Sequence, residues 1–270
     1  MPPEDEEAVS AVLWELGTAG TQWLGTEAGR AVHLAYFEDR DGLEAGLRRS
    51  LSAFHADVAP AEVPDVDWVA RVREGFRAFT AGSFLVVPAW EATPGAADAS
   101  RLLVVEPGVA FGTGSHESTR LCLRLLEERA AEGSLGWVAD IGAGSGILAV
   151  AAARLGATRV VALDLDDEAV PVAVRHAALN DVPVHLVRGD GGRPLRRRAF
   201  DVVLANLTAP LLRERADELA LLARAGGVVV LSGLLVEDVA EVRAAWAPHA
   251  DGIGVITEGA WAALAVRVRT

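Results

Sequence analysis

The sequence predicts an α/β protein, a doubly wound parallel sheet with a small α+β domain in front of it. Three observations predict this. From Trp137 onward, short apolar runs alternate with stretches of helical period, the pattern of a parallel sheet with helices on both faces. The apolar run Trp137 to Ile141 meets Gly142, Gly144 and Gly146 at alternate positions, and an Ala/Leu/Val-rich helical stretch follows. Residues 56–67 carry two prolines and four acids, which reads as a linker. The expected organisation is a domain over residues 1–57, a linker over 58–67 and a second domain over 68–270.

Taken in order, Glu6 to Leu16 puts Val9, Val12, Leu13 and Leu16 on one helical face, and Gly17 and Gly20 end that helix. Gln22 to Leu24 and Ala31 to Phe37 read as strands about a turn from Gly25 to Arg30. Asp41 to Phe54 is a second amphipathic helix, with Leu43, Leu47, Leu51 and Phe54 on its apolar face. Helix-strand-strand-helix is the order of a small α+β sandwich without its first strand, which leaves an unpaired sheet edge. A helix is expected from Asp67 to Phe76, then strands over Phe84 to Val87 and Leu102 to Glu106, then a helix over Thr119 to Arg129. Past the glycines, strands are expected at Val160 to Leu163, Val184 to Val187, Phe200 to Leu204 and Val228 to Ser232. Helices over Asp167 to Ala178, Ala209 to Arg224 and Val236 to Trp246 interleave with them. Ile253 to Thr257 and Ala262 to Arg269 close the chain as a hairpin about Glu258-Gly259-Ala260.

A strand, a glycine turn and a helix N-terminus let backbone approach a nucleotide closely, with N–H groups aimed at it. Twenty-two residues after Gly142 the next strand ends in Asp164, where a carboxylate accepts from ribose hydroxyls. The glycine spacing narrows the ligand. A dinucleotide fingerprint wants Gly or Ala one position after Gly146, where Ile147 stands, so a pyrophosphate does not fit. In a doubly wound sheet the ligand lies at the carboxyl ends of the strands, beside the switch point, and Gly142, Asp164, Asp190 and Asn206 each fall at such an end. A second unusual stretch, Pro107 to Thr119, sets three glycines, four hydroxyl residues and His116 just before a helix. Such a loop suits wrapping a polar ligand; His116 stands in it either as a base or as a partner in capping the helix. Cys122, on the apolar side of that helix, reads as packing.

Composition bounds the function. The net charge of −13 argues against a non-specific nucleic-acid binder and suits a basic partner. No run of 18 apolar residues occurs, so no membrane span is expected, and the acidic, Pro-containing start is unlike a secretory signal. A single cysteine excludes an intrachain disulfide and a cysteine-built zinc site, and no metal is expected. A cytoplasmic monomer is the expected state. All 25 basic residues are arginines, which a GC-rich genome explains without a functional cause.

Together these motifs resemble the bacterial ribosomal protein L11 methyltransferase family, across nearly the full length of the chain. They are Pro107-Gly108-x-Ala110-Phe111-Gly112-Thr113-Gly114-x-His116, Asp140-x-Gly142-x-Gly144-Ser145-Gly146-Ile147-Leu148, Asp164-x-Asp166, Ala205-Asn206-Leu207 and Leu231-Ser232-Gly233. The Phe-Gly-Thr-Gly-x-His loop is the specific part. The resemblance implies a Rossmann-like class I methyltransferase sheet that moves methyl groups from S-adenosylmethionine to lysine side-chain and N-terminal amines of ribosomal protein L11. It also implies a small N-terminal domain that grips the substrate, and cofactor contacts at Thr119, Gly142, Asp164 and Asn206. The family usually has two threonines where Ser118 and Thr119 stand, and Asp-Pro where this chain has Asp166-Asp167; an acidic first helical turn remains favourable there.

On that reading Asp164 serves the ribose, Asp190 the adenine edge, and Gly142 and Gly144 close backbone approach. Asn206 orients the acceptor amine, while Phe111 and His116 shape the methyl-transfer pocket. Lysine's ordinary pKa is about 10.4, so the site must favour the neutral amine, and burial does so. Three rival readings are a nicotinamide oxidoreductase, disfavoured by Ile147, a non-catalytic cofactor-binding adaptor, and a methyltransferase acting on a small molecule or another protein.

Overall fold

The computed structural model describes residues 76–92, 99–107 and 114–270, and before them residues 2, 5, 9, 12, 13, 16–18, 20–27, 30–38, 40, 42–54 and 56–61. Contacts divide the chain into two compact units, Met1–Val66 and Asp67–Thr270. No helix among the described residues is long and apolar enough to cross a membrane.

In the N-terminal unit, β1 (Gly20–Glu27) pairs antiparallel with β2 (Arg30–Tyr36), and α1 (Leu43–Ser50) follows. The apolar face read in the sequence is the one that packs: Val9, Leu13, Ala31 and Leu51 are buried together, with Leu47 and Phe54 against them. Thr18 closes the end of the ribbon, its hydroxyl lying 2.8 Å from the carbonyls of Gly20 and Tyr36. Among the described residues the sheet has two strands only. A groove of about 630 Å³ follows β2 and is lined on its far side by residues 56–61. Most of the expected first helix, and the expected helix from Asp67 up to Phe76, lie outside the described residues.

The C-terminal unit is built on a seven-stranded sheet. In chain order its strands are β6 (Trp137–Ile141), β7 (Arg159–Asp164), β8 (His185–Arg188), β9 (Phe200–Asn206), β10 (Ala223–Leu235), β11 (Ala250–Glu258) and β12 (Trp261–Val268). Their spatial order is β11-β12-β10-β9-β6-β7-β8. β10, β9, β6, β7 and β8 run parallel, and the β11–β12 hairpin closes one edge antiparallel. Successive strand residues feed opposite faces, as the period of two demands. Val138, Val202, Leu204, Val228 and Val230 join one core, and Ala139, Ile141, Val203, Ala205, Val229 and Leu231 the other.

The first core is covered by α2 (Glu117–Glu132) and α3 (Ile147–Arg154), together with a separate three-stranded sheet. That sheet is β3 (Phe79–Ala81), β4 (Phe84–Pro88) and β5 (Leu102–Val105), with β3–β4 antiparallel and β4–β5 parallel. The second core is covered by α5 (Ala209–Glu214), α6 (Ala216–Ala220) and α7 (Val239–Trp246). The fully buried Trp246 anchors α7 by donating its indole N–H to the Leu212 carbonyl at 2.9 Å. Between β7 and β8 runs α4 (Ala169–Leu179).

Apart from shifts in where elements begin and end, two expectations change. β3 was not anticipated, because three residues cannot display an alternating pattern; its turn at Gly82-Ser83 is held by the Glu127 carboxylate of α2. The single helix expected over Ala209 to Arg224 is two short ones. Carbonyls of Leu221 and Leu222 accept from the N–H groups of Arg198, Ala199 and Phe200 as the chain enters β9, which ends the helix there, and Ala223 already opens β10.

Candidate active site

β6 lies between β7 and β9, so the chain reverses its winding direction beside β6, and the crevice there opens at the strand carboxyl ends. Gly142 follows the last residue of β6 with φ 70°, and a Cβ on it would lie 2.5 Å from a Leu207 methyl. Both Gly142 and Ala143 donate their N–H groups to the Leu163 carbonyl at 2.9 Å, which fastens the glycine loop to β7. The N–H of Gly144 donates to Asp164 Oδ2 at 2.7 Å, and that of Asp166 to Oδ1 at 3.0 Å. Two of the carboxylate's roughly four lone-pair positions are therefore taken by backbone. The remaining ones lie on a half-buried carboxylate at the strand tip.

Asp140 works from beneath. Gly146, the N-cap of α3, has no side chain to cap with, and Asp140 Oδ2 accepts the Ala149 N–H of the helix's first turn at 3.0 Å. Burial pushes the Asp140 carboxyl up to about 7; the Ala149 bond opposes this, and the charge of Asp164 adds to it. Across the crevice, Asn206 ends β9 in register with Ser232 of β10. Its amide nitrogen lies 3.4 Å from the hydroxyl of the buried Thr119. Gly233, at φ 84°, makes the room for it: a Cβ there would stand 2.4 Å from the Leu207 carbonyl and 2.9 Å from Asn206 Oδ1.

His116 is the N-cap of α2. Its Nδ1 accepts the Ser118 N–H at 3.2 Å and lies 2.8 Å from the Ser118 hydroxyl, while its ring meets Trp261 edge-on with centroids 4.4 Å apart. Of the two roles open in the sequence, the capping one is the one the geometry displays. The hairpin bearing Trp261 is tied to α2 a second time by Arg120, which reaches Glu258 at 2.6 Å. Asp190, two residues past β8, is paired with Arg215 at 2.6 Å and Arg193 at 2.9 Å. Cys122 is fully buried, and burial raises its thiol well above the usual range, in keeping with a packing residue. Phe111 lies outside the described residues. Gly142, Gly144, Asp164, Asp190 and Asn206 thus sit at the carboxyl ends of β6, β7, β8 and β9, with Thr119 and His116 on the helix start beside Asn206. No cluster among the described residues has the side chains to hold a metal ion.

The family model described as ribosomal protein L11 methyltransferase (PrmA) matches residues 28–269. The chain belongs to this methyltransferase family. A family protein of Pelotomaculum thermopropionicum is 35% identical over an alignment of 303 positions, covering 99% of this chain and 96% of its own. One of Geobacter sulfurreducens is 40% identical over 247 residues, covering 86% and 80%. The crystal structure of ribosomal protein L11 methylase from Lactobacillus delbrueckii subsp. bulgaricus superposes with a TM-score of 0.64 at 30% identity, covering 72% of this chain and 99% of that one.

Within this member of the L11 methyltransferase family, two neighbours of the crevice escaped the sequence reading. Leu165, next to Asp164, is 61% exposed, a large apolar side chain standing at a strand tip. A signal existed, since an apolar residue between two acids at a strand end has no core to enter. Trp261 gave none, because its contact with His116 joins residues far apart in the chain.

Asp140 carries a pH signature that can be measured. A folded-state pKa of about 7 against an ordinary 3.8 means the native protein keeps a proton that the unfolded chain has already released between those values. That contribution to stability is present at low pH and is lost as pH rises through 7. Asp140→Asn removes it. The stability of wild type relative to this variant, from urea denaturation, is expected to fall by about 3 kcal/mol between pH 5 and pH 8. An unchanged difference would mean that the carboxyl is ionised throughout.

Proposed function

We propose that this chain transfers methyl groups from S-adenosylmethionine to lysine side-chain and N-terminal amines of ribosomal protein L11. The observation that carries the reading is the convergence of the glycine loop, Asp164, Asp190 and Asn206 on one crevice, in a chain matched to the family model from residue 28 to 269. The residues fit the cofactor. Asp164, pre-oriented by two backbone N–H groups, keeps acceptor positions for a vicinal diol, and exposed Leu165 beside it offers an apolar face to a purine. Asp190 offers acceptor oxygens at the next strand end, and its two arginines hold it in place.

S-adenosylmethionine supplies a methyl group on a sulfonium, which leaves to a nucleophile by direct displacement. The protein's own share is alignment and solvent exclusion. Gly142 and Gly144 bring backbone close, and Thr119 and Asn206 border the opposite wall. The Asn206 side-chain carbonyl and the carbonyls after it accept the hydrogens of a neutral amine and so direct its lone pair. His116 and Trp261 form an aromatic wall, with Phe111 assigned to the same pocket. With Nδ1 engaged at the cap, His116 serves as part of that wall rather than as a base.

The N-terminal unit is assigned to substrate recognition, over 1–57 with a linker at 58–67. Residues 1–60 carry eleven acids against four arginines, which favours encounter with a basic protein. Deleting residues 1–66 tests the substrate class. The expected result is S-adenosylmethionine binding retained by calorimetry with methyl transfer to L11 lost. Undiminished transfer to L11 would sink the assignment of the N-terminal unit to substrate recognition.

A further inference from the structure

His176 lies on α4 and is 1% exposed, yet none of the chemistry above uses it. Its Nδ1 stands 2.7 Å from the Ser145 carbonyl in the glycine loop, and its Nε2 accepts the Glu106 N–H at 2.9 Å. These partners fix the tautomer, because a carbonyl can only accept and a backbone N–H can only donate. Nδ1 therefore carries the proton and Nε2 the lone pair. Each end matters to the crevice. The Ser145–Gly146 peptide is held on its other side by the Gly146 N–H bond to Ala143, at 2.8 Å, one residue from the Gly144 N–H that meets Asp164. Glu106 is the residue from which the chain leaves β5 for the stretch ending at His116. At the C-cap of α4, one turn past His176, Asn180 grips β5 itself, accepting from Val104 N at 2.8 Å and donating to Val104 O at 2.7 Å.

We infer that His176 is a positioning residue for the cofactor crevice, joining the glycine loop to the segment that leads toward His116, and that its neutral ring makes cofactor binding sensitive to mild acid. A proton added at Nε2 would face the Glu106 N–H, donor against donor, and the link to Glu106 would open. The groups facing the ring are few. From the β5 side there is the Glu106 carboxylate, which is paired with Arg175 at 2.9 Å; from the glycine loop there is the Ser145 carbonyl; from α4 itself there is Arg175. Burial holds the imidazole below its ordinary range, against the opposing pull of Ser145 and Glu106. A histidine with a depressed folded-state pKa disfavours the native arrangement as pH falls below its unfolded value of about 6.5.

The inference rests on the proposed binding of S-adenosylmethionine at the glycine loop, and one titration experiment separates the two. S-adenosylmethionine affinity is measured by calorimetry at pH 8 and pH 5.5 for wild type, His176→Gln and His176→Leu, with folding checked by urea denaturation. The glutamine amide can take the Glu106 N–H but cannot titrate; leucine fills space and makes neither bond. Titration of the ligand is common to all three proteins, so the difference between them is the readout. Wild type is expected to lose up to severalfold more affinity than His176→Gln between the two pH values, less than the roughly tenfold that an undepressed imidazole would give at pH 5.5, and His176→Leu to bind weakly at both. Equal pH dependence in wild type and His176→Gln, or full affinity in a folded His176→Leu at pH 8, overturns the positioning role alone. Absence of binding by wild type at pH 8 overturns the cofactor reading and this inference with it. If either variant fails to fold, the ring nitrogen resonances of His176 in wild type decide. An Nδ1-protonated neutral ring whose titration tracks the loss of affinity supports the inference, and a ring already charged at pH 8 contradicts it.

Discussion

Asn206→Ala is expected to lower the turnover of L11 methylation by about a hundredfold or more, because misplacement of a reacting group by about 1 Å can cost that much in an alignment-driven reaction. The site is built around this side chain. Asn206 occupies the last position of β9, Thr119 flanks its nitrogen, and Gly233 leaves the space beside its oxygen. Truncation removes the acceptor proposed to direct the amine while the strand below stays paired with both β6 and β10. The decisive measurement is the single-turnover rate with both substrates saturating, which separates alignment from binding. A rate within threefold of wild type would remove Asn206 from the account of the reaction.

The second large effect is on the cofactor. Asp164→Ala deletes the acceptor proposed for the ribose hydroxyls and at the same time frees the Gly144 N–H that the carboxylate now holds. Hydrogen bonds to a charged group contribute about 1.5–3 kcal/mol, so S-adenosylmethionine affinity is expected to weaken by roughly ten- to a hundredfold. Calorimetry reads this directly. Asp164→Asn, which keeps one acceptor oxygen for Gly144, is expected to fall between the two. Affinity unchanged in Asp164→Ala would mean that the crevice at β7 is not the ribose site.

The strands that build the crevice were legible because each is short with an apolar centre, and β6, β7 and β8 end at or beside a glycine or an acid. Trp137–Ile141 forms as the sequence reads, and β9 runs two residues beyond the expected end. That extension places Asn206 in the sheet rather than after it, held by pairing with Ser232 that no local pattern displays. The glycine spacing gave the ligand class because backbone approach is a local property. Contacts across the fold were not legible. The partnership of His116 with Trp261, the link of Arg120 to Glu258 and the arginines around Asp190 depend on which elements the topology brings together. His176 is the clearest case. Within an apolar helical stretch it looks like an ordinary core position, and only the meeting of α4 with the glycine loop and β5 shows both ring nitrogens engaged.

The central claim is that this crevice methylates ribosomal protein L11. Its most direct test is mass spectrometry of purified L11 incubated with this protein and S-adenosylmethionine. The account predicts mass gains in steps of one methyl group, located on lysine side chains and the N-terminal amine and lost with Asn206→Ala. Unchanged L11, with S-adenosylmethionine binding confirmed in the same preparation, would contradict it.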